Sequence, residues 1–292
     1  MTSEQFFEWC QMSYDSIDST VVYRQKPLIM GVLNVTPDSF SDAGRFVKGE
    51  DAVLRARAML AEGVDMIDVG GESSRPGAVR ISEDEELSRV IPVIERICDE
   101  SDVCVSIDTY KPVIMEAAVK AGASFINDIK ALTEDGALSV AVNLQVPVCL
   151  MHMQGIPKTM QVNPHYANDV VCDINHFFLQ RIDACVKAGL SRKHLVLDPG
   201  FGFGKSVSHN LSIVKRLGEF QHHHLPLMLG VSRKSTLGVV LSAPVENRWP
   251  GAIATEIFAT LQGVSIIRTH DVEKTNQALH MIDAIVGNSP GN

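Results

Sequence analysis

"VLDPGFGFGKSVSHN" (Val196–Asn210) contains, in one stretch, the structural unit that decides the fold. A short apolar run ends in Asp198, a glycine-rich turn covers Gly200–Gly204, and a polar segment then leads into a predicted helix. A strand, a turn and a helix in this order form one repeat of an α/β protein. The strands of such repeats lie parallel, because each helix carries the chain back across the sheet.

The same unit recurs along the 292 residues. We predict strands at Leu28–Val35, Met66–Gly70, Val103–Asp108, Phe125–Ile129, Val146–His152, Leu195–Pro199, Leu227–Ser232 and Val264–His270. Helical spacing lies between them, for example at Ala52–Ala61, Pro112–Ala121, Val170–Ala188 and Ala252–Leu261. Eight strands favour a closed (β/α)8 TIM barrel over the alternative, an open doubly wound sheet. We expect a single domain over residues 27–288, preceded by an N-terminal extension (1–26) that closes the barrel's bottom.

Nearly every predicted strand ends in a polar side chain: Asn34, Asp68, Asp108, Asn127 with Asp128, His152, Asp198, Ser232, and Arg268 with His270. In a barrel these ends meet at the C-terminal rim, where active sites of this fold lie. Burying so many polar groups without partners is costly, so packing alone does not explain them. The sequence therefore predicts a polar site at the rim.

The glycine run of the opening stretch does not match a phosphate loop. A Walker A loop that ends in Gly204-Lys205-Ser206 needs glycine at position 199, which is Pro199. The dinucleotide fingerprint also fails, since the three glycines are spaced by two throughout. We interpret the run as a tight turn that brings backbone close to a ligand beside Asp198, with Phe203 offering a ring, and we assign Lys205 no catalytic role.

Anion-binding residues are predicted after the last two strands. "GVSRKS" (Gly230–Ser235) follows strand seven and "IIRTH" (Ile266–His270) closes strand eight, where barrels often bind phosphate. Arg268 and His270 are two residues apart and so leave the same face of the strand, with Lys234 close by in the preceding loop.

Two long polar loops follow strands one and two, "NVTPDSFSDAGRF" (Asn34–Phe46) and "DVGGESSRPGA" (Asp68–Ala78). Loops of this length usually act as lids or binding elements. Arg75 could reach an anion, and the Asn34 amide oxygen suits Mg²⁺, which is commonly held by few protein groups together with phosphate oxygens.

Asp108, Asn127 and Asp198 supply two carboxylates and one amide from strands three, four and six. This set suits a flat heterocycle with several N–H donors. Met151 and Phe203 could line its faces, although core filler is an equal interpretation of Met151.

Composition narrows the partners and the compartment. The formal net charge of −9 argues against nucleic-acid binding, and no apolar stretch reaches the length of a membrane span. Six cysteines without a C-x-x-C pair, and no basic-then-apolar signal segment, favour a cytoplasmic protein. His222–His224 resembles a metal cluster but is interpreted as a solvated loop. The acidic run Glu83–Glu86 is typical of a helix start.

The stretches of sequence quoted above, together with "SIDTYKP", "FINDI" and "CLMHMQG", resemble the dihydropteroate synthases of the folate pathway. The resemblance runs from about Pro27 to Val286. The resemblance implies a TIM barrel, usually a homodimer and a sulfonamide target. It also implies an Mg²⁺-dependent transferase that joins 6-hydroxymethyl-7,8-dihydropterin diphosphate to para-aminobenzoate. The products are 7,8-dihydropteroate and pyrophosphate.

The resemblance also implies residue roles. The implied pterin site is Asp108, Asn127, Met151, Asp198 and Lys234. The implied diphosphate site is Asn34, Arg268 and His270, with Mg²⁺ on Asn34. The implied para-aminobenzoate site is Ser74, Arg75, Gly202, Phe203 and Ser232. The implied catalytic groups are Asp108, Lys234, Arg268 and His270. The loops Asn34–Phe46 and Glu72–Ile81 correspond to mobile loops that close over the reactants.

Departures from the family pattern are few. Ser74 stands where the family commonly has threonine, which bears on sulfonamide affinity more than on catalysis. Trp249-Pro250 and Glu256 are unusual in a region that contributes dimer contacts in relatives.

Two other functions use part of the same residues. A pterin-binding methyltetrahydrofolate methyltransferase domain shares the Asp and Asn set but has no use for Arg268 and His270 as a diphosphate site. A non-catalytic pterin-binding protein needs neither those two residues nor an aminobenzoate wall.

Overall fold

The computed structural model describes residues 1–16, 26–36, 45–75 and 77–286, and the side chains of 11–16 and 45–48 lie outside that description. The strands are β1 Leu28–Asn34, β2 Met66–Gly70, β3 Cys104–Asp108, β4 Phe125–Asp128, β5 Val148–Met151, β6 Leu195–Asp198, β7 Met228–Gly230 and β8 Ile266–Thr269. The helices are α1 Ser3–Ser16, α2 Arg45–Ala61, α3 Glu83–Glu100, α4 Pro112–Lys120, α5 Ala137–Leu144, α6 Val170–Lys187, α7 Val207–Lys215, α8 Ser235–Leu241, α9 Trp249–Leu261 and α10 Val272–Ile285.

The eight strands form one parallel sheet in the order β6-β5-β4-β3-β2-β1-β8-β7. An isolated parallel bridge between Leu197 and Leu227 joins the two outer strands, with Leu197 N–H donating to the Pro226 carbonyl at 2.9 Å. The predicted TIM barrel is thereby confirmed, and every predicted strand end lies within two residues of the observed one.

Two helices begin earlier than their apolar spacing predicts. The helix expected at Ala52–Ala61 starts at Arg45, and the one expected at Ala252–Leu261 starts at Trp249. The stretch of α2 before Ala52 ends in Lys48-Gly49-Glu50-Asp51, which interrupts the apolar spacing. The start of α9 is set by Pro250 in its first turn, a position that proline favours.

Side chains alternate strictly between the two sides of the barrel wall. One set, for example Ile29, Ile67 and Ile267, belongs to the large cluster shared with the surrounding helices. The other set points into the barrel, where its members near the strand starts, such as Met66, Cys104 and Phe125, form a second apolar cluster. The two sets arise because successive side chains of a β-strand point to opposite faces of the sheet.

The barrel's bottom is covered by α1. Phe6, Trp9 and Cys10 pack into the inner apolar cluster, with the Phe6 and Phe125 rings edge to face at 5.2 Å. Thr2 forms an antiparallel bridge with Val103, just before β3. The expected extension spans 1–26, of which 17–25 lie outside the described residues. The apolar bottom leaves the opposite end of the barrel for polar chemistry.

None of the helices in the described ranges is both long and apolar enough to cross a membrane.

Candidate active site

The inward positions above the apolar bottom are polar and occupy two successive levels of the barrel. Asp68 on β2 pairs with Ser106 on β3, and two residues further along β3, Asp108 pairs with Asn127 on β4. Asp68 and Ser106 are fully buried, while Asn127 is 3% exposed. Residues far apart in the chain therefore form one polar layer, two levels deep, inside the barrel.

Arg268 joins two carboxylates at the centre of this layer. Its Nε donates to Asp68 Oδ2 at 2.6 Å, and its Nη2 donates to Asp108 Oδ2 at 2.7 Å. Asp68 also accepts from the Ser106 hydroxyl at 2.5 Å and from the Asn127 amide at 3.0 Å. The predicted anion-binding arginine is thus already held by carboxylates and crosses the barrel interior.

Burial shifts the pKa values of this layer. Desolvation raises the pKa of Asp108 to about 7, with Arg268 opposing the shift and the nearby carboxylates, Asp68 first among them, adding to it. The pKa of Asp198 is also raised by burial, against the attraction of Lys234. A ligand that donates hydrogen bonds to these carboxylates relieves part of that cost.

Lys234 lies beside Asp198 and the turn that follows it. Its Nζ donates to the Phe201 carbonyl and stands 4.6 Å from the centroid of the Phe203 ring. Burial lowers the pKa of Lys234 to about 8, although Asp198 pulls it upward. The predicted contact between this amine and the strand-six site is therefore geometrically available.

The glycine turn of the opening stretch needs its glycines. Gly200 has a φ of +67°, and a Cβ there would lie 1.9 Å from the His152 carbonyl oxygen. Gly204 has a φ of +66°, and a Cβ there would lie 2.4 Å from the Gln154 carbonyl oxygen. Close approach of two backbone segments therefore explains the motif, and it holds Phe203 at the barrel mouth.

Lys205, to which the sequence assigned no role, is almost fully buried beneath this turn. Its Nζ lies 3.0 Å from His152 Nδ1 and donates to the carbonyls of His152 and Phe203 at 3.3 and 3.0 Å. Burial holds the pKa of Lys205 well below its usual range. Lys205 fastens the turn to the end of β5.

His270 and Ser232 are direct neighbours at the ends of β8 and β7. His270 Nδ1 lies 3.2 Å from Ser232 Oγ, which also accepts from the His270 backbone N–H at 3.3 Å. Burial lowers the pKa of His270 to about 3, helped by the positive charges of Arg233, Arg268 and Arg75. His270 is therefore neutral at pH 7 and acts as a hydrogen-bonding group rather than as a cation.

Asn34 and Asp108 flank the end of β2. A Cβ at Gly70 would lie 3.7 Å from Asn34 Oδ1 and 3.6 Å from Asp108 Oδ2, so these two oxygens border the same space. No cluster of three or more His, Cys, Asp or Glu side chains able to hold a metal occurs in the described part of the chain. The interpretation of His222–His224 as a solvated loop is wrong for His223: His222 and His223 end a 3-10 turn, and His223 is buried against Asn175.

The loop after β2 brings Ser74 to the site and Arg75 to its edge. Ser74 lines a cleft together with Asp108, Tyr110 and Ile129, whereas Arg75 is exposed. Of the loop expected at Asn34–Phe46, residues 37–44 lie outside the described residues.

Met151 belongs to a small apolar cluster at the barrel mouth, separate from the two large clusters. It packs with Tyr110 and Ile129, and Met153 and Phe203 lie against the group. Met151 is 3% exposed, so both interpretations of it, core filler and pocket lining, stay open.

Sequence reasoning gave no role to Asp68, Tyr110 or Lys205. Asp68 is one of the strand-end residues, and its position two residues before Gly70, on the same face of the strand, is the sequence signal that it points into the barrel. Tyr110 and Lys205 lie outside the strands, so no periodicity marked them.

A family model described as pterin binding enzyme matches residues 30–270, which contain the parallel barrel and the carboxylates and amide at its mouth. The chain therefore belongs to the class of pterin-binding enzymes.

Individual relatives narrow this class. The chain is 50% identical over 258 residues to the dihydropteroate synthase of Escherichia coli, which covers 88% of this chain and 91% of that protein. The Yersinia pestis dihydropteroate synthase, solved with a sulfonamide drug, is 46% identical with a TM-score of 0.85, covering 92% of this chain and 96% of that one. The Xanthomonas albilineans enzyme in complex with 7,8-dihydropteroate is 40% identical with a TM-score of 0.82, covering 90% and 94%. The chain belongs to the dihydropteroate synthase family, whose members are transferases.

Proposed function

We propose that this chain condenses 6-hydroxymethyl-7,8-dihydropterin diphosphate with para-aminobenzoate, giving 7,8-dihydropteroate and pyrophosphate in folate biosynthesis. The observation that carries the proposal is the convergence of Asp108, Asn127 and Asp198 inside the barrel mouth, below an apolar wall that includes Met151. The complex of the Xanthomonas relative with 7,8-dihydropteroate supports the same chemistry.

The pterin is proposed to bind against these carboxylates. Its N–H groups would donate to Asp108 and Asp198, whose burial without ligand raises their pKa values. Asn127 offers an amide to the edge of the pterin that carries both hydrogen-bond donors and acceptors, and Lys234 approaches the pterin from the side of Asp198.

The diphosphate is proposed to lie near Asn34, Arg268 and His270. Since two guanidinium nitrogens of Arg268 hold Asp68 and Asp108, its remaining N–H groups would meet the anion. If the Ser232 hydroxyl donates to His270 Nδ1, the Nε2–H of the neutral ring is free to donate to phosphate.

Mg²⁺ is proposed to bind between Asn34 and the diphosphate. The Asn34 amide oxygen borders the same space as the Asp108 carboxylate, a set of hard oxygen donors that fits this ion when substrate phosphates supply the remaining ligands. When bound, Mg²⁺ would neutralise charge on the leaving diphosphate.

Para-aminobenzoate is proposed to bind between the β2 loop and the glycine turn. Gly202 and Phe203 form one side, and the other side carries Ser74 and Arg75. Arg75 lies near enough to His270 to lower its pKa, and Ser232 touches that histidine, so the walls border the diphosphate site. Sulfonamides would compete for the same walls.

The reaction is proposed to begin with loss of pyrophosphate. The bond between the pterin methylene carbon and the bridging oxygen breaks, and both electrons leave with the diphosphate. Asp108 stabilises the resulting pterin cation, while Arg268 and His270 stabilise the leaving group. The aminobenzoate nitrogen then forms the new C–N bond and releases its proton to solvent, so no strong catalytic base is required.

A homodimer is proposed through an apolar face on α8 and α9. Val239, Val240, Trp249 and Phe258 are between 42% and 64% exposed there. Apolar side chains clustered on neighbouring helices are typical of an oligomer interface. Val240→Asp is expected to yield monomers in sedimentation, with Leu54→Asp on α2 as the matched control, and a monomeric wild type would contradict the dimer.

A cytoplasmic location is proposed as well. All six cysteines are free thiols, which is typical of proteins from a reducing compartment. The net charge of −9 supports small-molecule substrates rather than nucleic acid as partners.

Pyrophosphate release by the purified chain, with both substrates and Mg²⁺, tests the proposed function. Release that requires para-aminobenzoate and yields dihydropteroate is expected. Pterin binding without any release would instead mean a non-catalytic pterin-binding protein.

A further inference from the structure

The loop that carries Ser74 and Arg75 is closed at its base by one buried ammonium group. Lys111 Nζ donates to Glu72 Oε2 at 2.7 Å, where the loop begins, and to the Ile81 carbonyl at 2.9 Å, where it ends. The Ile81 backbone N–H donates to the same Glu72 oxygen at 3.0 Å. Both ends of the loop therefore meet at Lys111.

Lys111 in turn is fixed to the barrel. Its third hydrogen bond goes to Glu86 Oε2 at 2.6 Å, and Glu86 Oε1 accepts from the Thr109 hydroxyl at 2.8 Å. The side chains of Lys111 and Glu86 are 5% and 1% exposed. Glu86 lies in the first turn of α3, as the sequence predicts for the run Glu83–Glu86, and it is also buried as a partner of this lysine.

The clamp, formed by Glu72, Lys111 and Glu86, is also joined to the candidate pterin pocket. Tyr110 Oη donates to Glu72 Oε1 at 2.8 Å, and the Tyr110 ring belongs to the apolar cluster with Met151. Burial favours a raised pKa for Glu72, but hydrogen bonds from Lys111, Ile81 and Tyr110 hold that pKa below its usual range. Glu72 therefore stays ionised.

We propose that Lys111 is a positioning residue, through which the clamp sets where Ser74 and Arg75 stand relative to the second substrate. This inference rests on the proposed function. The cleft that contains Ser74 is lined by both clamp carboxylates and by Asp108, so a shift of the loop base moves one wall of the site and leaves the pterin groups in place.

Removal of the ammonium leaves two buried carboxylates facing each other without a cation. They repel or take up protons, and in either case the loop base loses its three-way connection. The pterin groups Asp108, Asn127 and Asp198 make no hydrogen bond to the clamp among those of the described residues. Because the link to the pterin pocket is the apolar packing of Tyr110 with Met151, the change should fall mainly on aminobenzoate.

Lys111→Met is compared with Lys120→Met, which removes an exposed lysine paired with Glu116 on α4. For Lys111→Met we expect KM for para-aminobenzoate to rise by about tenfold or more, and KM for the pterin diphosphate to stay within about twofold. Lys111→Arg, which keeps the charge, should recover part of the loss. Equal changes in both KM values, or none, would overturn the positioning role.

Two measurements keep the inference separate from the proposed function. Trypsin cleavage after the exposed Arg80 should be faster in Lys111→Met than in wild type or Lys120→Met, and this readout needs no substrate. If Lys111→Met does not fold, Glu72→Gln keeps an acceptor for the Ile81 N–H, weakens the contact to Lys111 and is judged by the same two readouts. If the wild type is inactive but Lys111→Met is cleaved faster than wild type, the proposed function alone is refuted. If cleavage of Lys111→Met is unchanged, the clamp is refuted.

Discussion

Asp108→Asn tests the proposed chemistry most directly, because Asp108 is the carboxylate that Arg268 holds at the end of β3. The substitution removes one negative charge and keeps the shape of the side chain. An asparagine oxygen can still accept from Arg268 Nη2, and the bond from Arg268 Nε to Asp68 is untouched. The fold is therefore expected to survive, with a Tm within about 3 °C of wild type.

The loss of catalysis follows from charge. A carboxylate about 4 Å from a developing cation interacts with it by about 4 kcal/mol at an effective dielectric constant of about 20. The Asp108 side chain is only 10% exposed, so solvent screens this interaction little. An amide dipole replaces a minor part of it, which leaves a loss of about 3 kcal/mol and a kcat about 100-fold lower.

The assay is steady-state pyrophosphate release with both substrates saturating, alongside thermal unfolding. Asp128→Asn is the matched control, since Asp128 ends the next strand but points outward and accepts from the backbone N–H groups of Lys130 and Leu132. That variant should lose stability and keep kcat. Unchanged kcat in Asp108→Asn, or an equal fall in both variants, would refute cation stabilisation by Asp108.

Three further outcomes are expected. With its pKa raised to about 7, Asp108 takes up a proton as the pH falls through 7. The kcat/KM of the wild type should therefore decline below pH 7, and a flat pH profile would contradict the need for a carboxylate. Asn34→Ala should raise the Mg²⁺ concentration for half-maximal activity by about tenfold, and an unchanged Mg²⁺ titration would exclude Asn34 as a ligand. Burial lowers the pKa of His152 to about 2, so below about pH 6.5 the unfolded state binds a proton that the folded state does not. The free energy of unfolding should therefore fall by about 2 kcal/mol between pH 7 and 5 on account of His152. Urea unfolding of His152→Gln should lack this part of the pH dependence.

Strand positions and rim residues were predictable because period and register are local properties of the chain. Met66–Gly70 was predicted with its observed bounds, and the inward phase of Asp108, Asn127 and Asp198 follows from where each strand ends. A parallel barrel places all these ends on one side, so a list of strand-end residues is already a list of candidate site residues.

Partnerships between distant residues were not predictable in this way. Arg268 was expected to face an anion at the rim, yet its nitrogens bind carboxylates 200 and 160 residues away. Lys111 and Glu86 lie in segments whose local pattern indicates only a strand end and a helix start. Their contact depends on how α3 packs beside β3, which single-sequence periodicity does not contain.

The buried carboxylates suit the proposed reaction, which passes through a cation. Asp108 and Asp198 lie in the field of Arg268 and Lys234, with Lys205 adding positive charge near Asp198, and burial raises the pKa of both carboxyls. In the proposed reaction, departure of the diphosphate creates a positive pterin ring beside these carboxylates, whereas the pterin ring of the bound substrate is neutral. Their attraction to the ring is therefore stronger in the transition state than in the bound substrate, which is the condition for a carboxylate to increase kcat.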